Sequence, residues 1–303
     1  NAVDIGPHRD LAGELVKAVR KVGLKMGFYY CMYEWFNPLY NTDVNKYVEQ
    51  YMLPQMKDLV IRYQPDILWP DGEWDHPSSV WRSTEFLAWL FNESPAPKDI
   101  AINDRWGKEC RNVHGGFATP EYGQIPEGHL MGKGLFEECQ GMGKSFGYNR
   151  NETSENYRST TELLHLLIDV VSRGGNLLLD IGPSADGRIP EIMEDRLLEM
   201  GKWLAVNGEA IYATDVWKEA PKLEHFRFTR KGKAIYAIAL EWPPEKWSIP
   251  KPAEYNNKPE VTFLGTAIKA KVEDGGKEWL ITTPCVSPRD IPCQHAWVFK
   301  FQY

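Results

Sequence analysis

Asp66-Ile-Leu-Trp-Pro-Asp71 is a short apolar run that closes on an acid, and Gly72-Glu-Trp74 follows it. A run of this length, preceded by an amphipathic stretch from Val44 to Tyr63, reads as a buried strand fed by a helix. The same unit recurs upstream. Leu11, Leu15, Val19 and Val22 fall at helical spacing, Gly23 stops that helix, and Lys25-Met-Gly-Phe-Tyr-Tyr30 follows as a strand. It recurs downstream as a helix over Ser83 to Phe91 and a strand at Ile100-Ala-Ile-Asn103. After a long loop, Lys144-Ser-Phe-Gly-Tyr148 is expected to be a short strand, and a helix over Thr160 to Ser172 leads into the strand Asn176-Leu-Leu-Leu-Asp180. A helix from Ile189 to Asn207 closes the series. Strands and helices in alternation predict an α/β fold with a parallel sheet and crossover helices. The residues that look reactive sit just after each strand, where barrels and open sheets of this class keep their chemistry.

From Val216 the pattern changes. Phe226-Arg-Phe-Thr229, Ala234 to Leu240, Val261-Thr-Phe-Leu264, Trp279-Leu-Ile-Thr282 and Ala296 to Phe301 are β-rich segments between Gly, Pro and charged turns. They predict a small antiparallel sandwich. The expected domains are therefore 1–215 and 216–303, with the Pro-rich stretch Pro243 to Pro259 as a loop of the second.

Composition narrows the function. A net charge of -7 over 303 residues leaves no basic stripe to neutralise nucleic-acid phosphates. The longest apolar runs, such as Leu163 to Val171, are too short to span a bilayer. Twelve Trp and fourteen Tyr exceed what a core needs, and sugar-binding sites favour such rings. The plainer account is that most of them are core. The five cysteines form no CxxC pair and no Cys/His cluster with zinc-like spacing. Cys285 and Cys293 are spaced to pair across a turn. Two glycosylation sequons, at Asn92 and Asn151, and the lack of a signal-peptide pattern leave the compartment open between secreted, periplasmic and cytoplasmic.

Three strand ends or loops hold candidate chemistry. Asp71 lies between Trp69 and Trp74; an Asp-Gly pair is otherwise an ordinary turn. Arg105, in Asn103-Asp-Arg-Trp-Gly107, either grips a hydroxyl or carboxylate with its forked donors or pairs with Asp104. Glu121, in Thr119-Pro-Glu-Tyr122, is either a solvated loop residue or a carboxyl brought opposite Asp71. Two carboxylates about 5–5.5 Å apart across a glycosidic bond give hydrolysis with retention. These residues alone leave a glycosidase as one option among several.

The motifs in order carry a resemblance. Asp4-Ile-Gly-Pro-His-Arg-Asp-Leu11, Tyr33 to Tyr40, Leu68 to Trp74, Asn103 to Gly107, His114-Gly-Gly116, Ser145 to Asn149, Gly174 to Pro183, and Gly201 to Tyr212 together resemble glycoside hydrolase family 29, the α-L-fucosidases. The resemblance implies a retaining exo-α-L-fucosidase acting on fucosylated glycans and needing no metal or cofactor. It implies Asp71 as nucleophile and Glu121 as acid/base, with Tyr29, Trp69, Arg105 and Phe146 lining the fucose pocket. Phe146 would pack against the C6 methyl. Glu34 and Trp35 resemble a pocket-edge motif without an assigned role. It also implies a TIM-like (β/α)8 barrel whose first strands, with a Trp and two adjacent His, precede the point where this chain begins. Five strand candidates leave about three of eight missing. The expected fold is an incomplete barrel followed by the sandwich, with a homo-oligomer covering the open edges. The alternative is a glycan-binding remnant with little turnover.

Overall fold

The computed structural model describes residues 1–123, 135–255 and 257–303. They form two compact units, one of residues 1–119 with 135–136, the other of 120–123 with the described residues from Glu137 to Tyr303.

In the first unit, α1 (Leu11–Lys21) starts where the Asp10 carboxylate accepts the Gly13 N–H, and it places Arg20 and Lys21 in the last turn. Both features suit the orphan amides and the dipole of a helix. After β1 (Gly27–Cys31) come α2 (Pro38–Thr42), α3 (Val44–Tyr47) and α4 (Leu53–Tyr63). A π-helical turn at Val48–Met52 joins α3 to α4, just before Pro54. A proline there has no N–H for the preceding turn and its ring crowds it, so the wider turn relieves the clash. β2 (Ile67–Asp71), α5 (Ser78–Trp81), α6 (Ser83–Asn92) and β3 (Ala101–Ile102) complete the unit.

The three strands are parallel in the order β1-β2-β3. Their register runs from Gly27 opposite Ile67 to Cys31 opposite Asp71, which sets Tyr29 beside Trp69. Side chains alternate across a strand, so Tyr29, Trp69 and Asp71 share one face. The other face sends Tyr30, Leu68 and Ile102 into a core with Met56, Val60, Phe86 and Leu90 from the helices. One face of the sheet is packing, and the other carries Tyr29, Trp69 and Asp71. The α1 helix forms where its periodicity predicts, but Leu11, Leu15 and Val22 are exposed and Val16 is the buried anchor.

The second unit begins with β4 (Glu137–Gly141), α7 (Thr160–Ser172) and β5 (Asn176–Asp180), the two strands being parallel. A capping box fixes the start of α7: Ser159 accepts the Glu162 N–H and Glu162 accepts that of Ser159. After α8 (Glu191–Asn207) comes an antiparallel ladder of β6 (Asp215–Val216), β7 (Phe226–Lys231), β8 (Ala234–Ala239), β9 (Lys246–Pro250), β10 (Glu260–Phe263), β11 (Lys269–Asp274), β12 (Glu278–Thr282) and β13 (Trp297–Gln302). The order is β6-β7-β8-β13-β10-β11-β12-β9.

This ladder folds over on itself. The β11 strand pairs with β10 at Ala270 and with β12 from Lys271 onward, which turns the corner between two layers. Phe226 on β7 and Trp247 on β9, nearly at opposite ends of the ladder, stack with centroids 4.7 Å apart. The result is a sandwich-like antiparallel sheet. Its β8 is buried along its whole length. Ile235, Ala237 and Ala239 enter the core between the layers, while Tyr236 and Ile238 meet Leu163, Leu164 and Ile168 of α7 and Met200 and Trp203 of α8.

Three expectations need correcting. Lys144–Tyr148 is not a strand: Glu152 accepts the Lys144 N–H and Asn149 bonds the Ser145 hydroxyl, closing the segment into local turns. The strand in that position of the chain is β4, whose Glu-Glu-Cys-Gln carries no apolar signature. The Pro-rich stretch is not all loop, because Trp247 and Ile249 alternate inward as β9 and Pro250 stands at its end. Cys285 and Cys293 do not pair; all five cysteines are free thiols. Among the described residues no helix is long and apolar enough to cross a membrane.

Trp247 stacks on Phe226 and meets Phe299 and Phe301 edge-on. Trp247→Ala is expected to cost about 3–5 kcal/mol in urea unfolding, as for large aromatic truncations in cores. Leu15→Ala, on the exposed face of α1, is expected to change stability by no more than about 0.5 kcal/mol.

Candidate active site

Four of the six residues singled out from sequence converge in the first unit. Asp71, at the end of β2, retains 15% side-chain exposure. Its Oδ1 accepts Arg105 Nη1 at 2.6 Å and its Oδ2 accepts the Tyr29 hydroxyl at 2.7 Å. Arg105 is 2% exposed. Its Nε donates to Thr119 Oγ1 (2.8 Å), its Nη2 donates to the Thr119 carbonyl (3.2 Å), and its guanidinium lies 4.3 Å from the centre of the Trp69 ring. Trp69 stacks on Tyr29 at 5.7 Å. The two rings and the guanidinium thus form one packed group around the carboxylate.

Local structure builds this arrangement. Asn103, fully buried at the end of β3, donates Nδ2–H to the Pro70 carbonyl and accepts the Arg105 N–H, tying the arginine to the end of β2. Asp104 is also buried, but it does not pair with Arg105 as one option held. It accepts the Thr119 hydroxyl (2.6 Å) and the Asn112 N–H (2.8 Å), so it positions the acceptor that Arg105 uses. Gly72 has φ +76, and a Cβ there would lie 2.6 Å from the Tyr33 Cβ. Only glycine lets the chain turn away directly after Asp71 with Tyr33 so close. Desolvation, and then the bond to Asp71, push the Tyr29 phenol far above its usual range, so it stays a proton donor.

The second unit carries the other two. Glu121 bridges in parallel to Cys139 on β4, with the Cys139 N–H donating to the Pro120 carbonyl and the Tyr122 N–H to the Cys139 carbonyl. Phe146, 39% exposed, meets Tyr122 edge-on at 5.0 Å. Sequence reasoning assigned no role to three further groups. Glu138 on β4 is fully buried, accepts the Gly123 N–H at 2.6 Å, and has its other oxygen unpartnered among the described residues. Glu73, 1% exposed, pairs with Arg111, whose Nη2 lies 3.6 Å from Asp71 Oδ1. Glu73 stood inside a quoted motif, and its burial is the signal that sequence lacks. Among the described residues no group of three or more His, Cys, Asp or Glu could hold a metal ion.

A carboxylate clamped by arginine beside aromatic rings, at the carboxyl end of a parallel strand, defines an α/β protein of the class that includes barrel glycosidases. Residues 1–209 match the family model described as alpha-L-fucosidase, and residues 221–302 match that of the alpha-L-fucosidase C-terminal domain. The chain belongs to the α-L-fucosidase family, a family of glycoside hydrolases. It is 40% identical to the tissue alpha-L-fucosidase of Bos taurus over 310 residues, covering 99% of this chain and 66% of that protein. Against the alpha-L-fucosidase of Dictyostelium discoideum it is 37% identical over 316 residues, covering 99% of this chain and 68% of that one. The structure of the Thermotoga maritima alpha-fucosidase in complex with a mechanism-based inhibitor matches with a TM-score of 0.77 at 35% identity, over 100% of this chain and 70% of that one. The chain therefore spans about two thirds of the length of the curated relatives it matches.

Burial raises the Glu138 carboxyl above the ordinary range; the Gly123 N–H, Arg158 and Arg173 oppose that shift and Glu121 adds to it. A carboxyl raised in the folded state holds its proton more tightly there than in the unfolded chain, so stability falls as pH rises past the ordinary carboxylate range. Glu138→Gln does not ionise. In urea titrations from about pH 4 to about pH 7, the variant is expected to gain stability relative to the wild type as pH rises.

Proposed function

We propose that this chain is the catalytic part of a retaining exo-α-L-fucosidase, with Asp71 as nucleophile and Glu121 as acid/base. The observation that carries the proposal is Asp71 itself. It ends a central strand, is held by a buried arginine and a tyrosine, and still keeps access to solvent. Each of its oxygens accepts one donor and retains a lone pair for an incoming carbon.

In the first step an Asp71 oxygen forms a bond to the anomeric carbon of a terminal α-L-fucosyl group. The bond to the leaving oxygen breaks, and that oxygen takes the Glu121 proton. In the second step Glu121 takes a proton from water, the water oxygen bonds the anomeric carbon, and the ester to Asp71 breaks. Both carboxyl groups return to their starting states, and two inversions give net retention. Arg105 and Tyr29 orient the nucleophile, the Trp69 ring offers an apolar wall, and Phe146 offers an exposed ring for the C6 methyl. The substrate class is a fucosylated glycan. The parallel strands of residues 1–215 are proposed as part of a (β/α)8 barrel, with residues 216–303 as the sandwich domain.

The test is release of 4-nitrophenol from 4-nitrophenyl α-L-fucoside. Asp71→Asn is expected to lose at least about a thousandfold in kcat, and azide to restore part of the turnover of Asp71→Gly by filling the emptied position. Glu121→Gln is expected to slow alkyl fucosides about a hundredfold or more, and activated aryl fucosides much less. Equal slowing of both would exclude Glu121 as the acid. Fucose binding without turnover in the wild type would favour a glycan-binding protein.

A further inference from the structure

We propose that Arg111, anchored by the buried carboxylate of Glu73, is a positioning residue that speeds the release of fucose from Asp71, the second half of the reaction; this rests on Asp71 being the nucleophile. Glu73 follows the nucleophile by two residues and is 1% exposed. Its Oε1 accepts Arg111 Nε at 2.5 Å, while Oε2 has no hydrogen-bond partner among the described residues. A carboxylate this deeply buried requires a counter-ion, and Arg111 supplies it. The pair is held from both sides. The Glu73 carbonyl accepts the Trp81 indole N–H at 3.0 Å. The backbone flanking Arg111 is fixed by the Asn112 N–H on Asp104 and by turns closing on Cys110.

With Nε committed to Glu73, the far end of the guanidinium faces Asp71, and Nη2 lies 3.6 Å from Oδ1. That is too long for a hydrogen bond but close for an ion pair. The same oxygen already accepts Arg105 at 2.6 Å. Arg105 is 2% exposed and the Arg111 side chain 37%, so the two cations differ in kind. The first is part of the buried frame. The second is a partly solvated charge whose strength at Asp71 is set by how Glu73 holds it.

A cation beside a nucleophilic carboxylate acts oppositely on the two steps. Forming the fucosyl ester consumes the carboxylate charge, so a nearby cation holds the reactant back. Breaking the ester regenerates that charge, so the same cation favours the departure of Asp71. Arg111 therefore trades nucleophilicity for leaving-group ability.

The experiment compares wild type, Arg111→Gln and Arg111→Lys on 4-nitrophenyl α-L-fucoside, with rapid mixing and intact-protein mass spectrometry during turnover. In Arg111→Gln, kcat is expected to fall about tenfold and KM by more than kcat, so that kcat/KM rises. A burst of nitrophenol is expected, with accumulation of an adduct one fucosyl group heavier on the peptide holding Asp71. Arg111→Lys, which keeps the charge, is expected to recover most of kcat. A fall in kcat/KM matching that in kcat, with no adduct accumulating, would reduce Arg111 to a structural role and overturn the inference while leaving Asp71 as nucleophile. An adduct mapped to another residue, or full activity in Asp71→Asn, would overturn both.

Discussion

A guanidinium buried to 2% exposure beside a carboxylate is the constraint around which the first unit is organised. Removing either charge from water costs several kcal/mol, and a pair of this sort seldom stabilises a fold more than apolar packing of equal volume would. Its value is positional. Because Arg105 has no solvent to turn to, each of its donors needs a fixed acceptor, and among the described residues Asp71, the Thr119 hydroxyl and the Thr119 carbonyl serve. Thr119 in turn answers to Asp104, and the Arg105 backbone answers to Asn103. Each of these residues is buried, so loosening one leaves a polar group unsatisfied in the next. The nucleophile candidate is thereby aimed by a closed network rather than by its own rotamer preference.

What sequence revealed divides along physical lines. The strands at Gly27–Cys31 and Ile67–Asp71 were legible because they are short apolar and aromatic runs that follow amphipathic helices, although Tyr30 is the one buried residue of the first. Tyr29, Trp69 and Asp71, singled out from sequence, share one face of that sheet. The β4 strand was not, because Glu138 and Gln140 are fully buried polar residues that no hydropathy pattern announces. Likewise β9 and β11 hid behind prolines and lysines: two inward residues each, Trp247 with Ile249 and Ala270 with Val272, suffice for an edge or corner strand. Contacts among distant residues were invisible throughout. Nothing in the spacing of Glu73 and Arg111 joins them; only the fold does.

The sandwich-like ladder is held by a different economy. It is stabilised by ring packing across layers, with Trp247 central to Phe226, Phe299 and Phe301. Meanwhile β8 is buried on both sides and joins that core to the one beneath α7 and α8. A strand packed on both faces must be apolar throughout, which is why Ala234 to Leu240 was among the clearest signals in the sequence and β4 among the faintest.

The strand that carries Asp71 is paired on both sides, to β1 over five residues and to β3 over two. Two ladders therefore fix its end, as the proposed chemistry demands: a carboxylate that bonds to carbon in one step and leaves in the next has to keep its distance and angle through both. Glu121, the proposed acid/base, lies on a segment that bridges to Cys139 of β4, with backbone bonds from Cys139 and Tyr122 beside it. A proton donor in a double displacement serves two oxygens in turn, first that of the leaving group and then that of water. The proposed nucleophile thus lies on a strand paired on both sides and the proposed acid/base on a segment bridged to β4, so each carboxylate is placed by backbone pairing before its own rotamer acts.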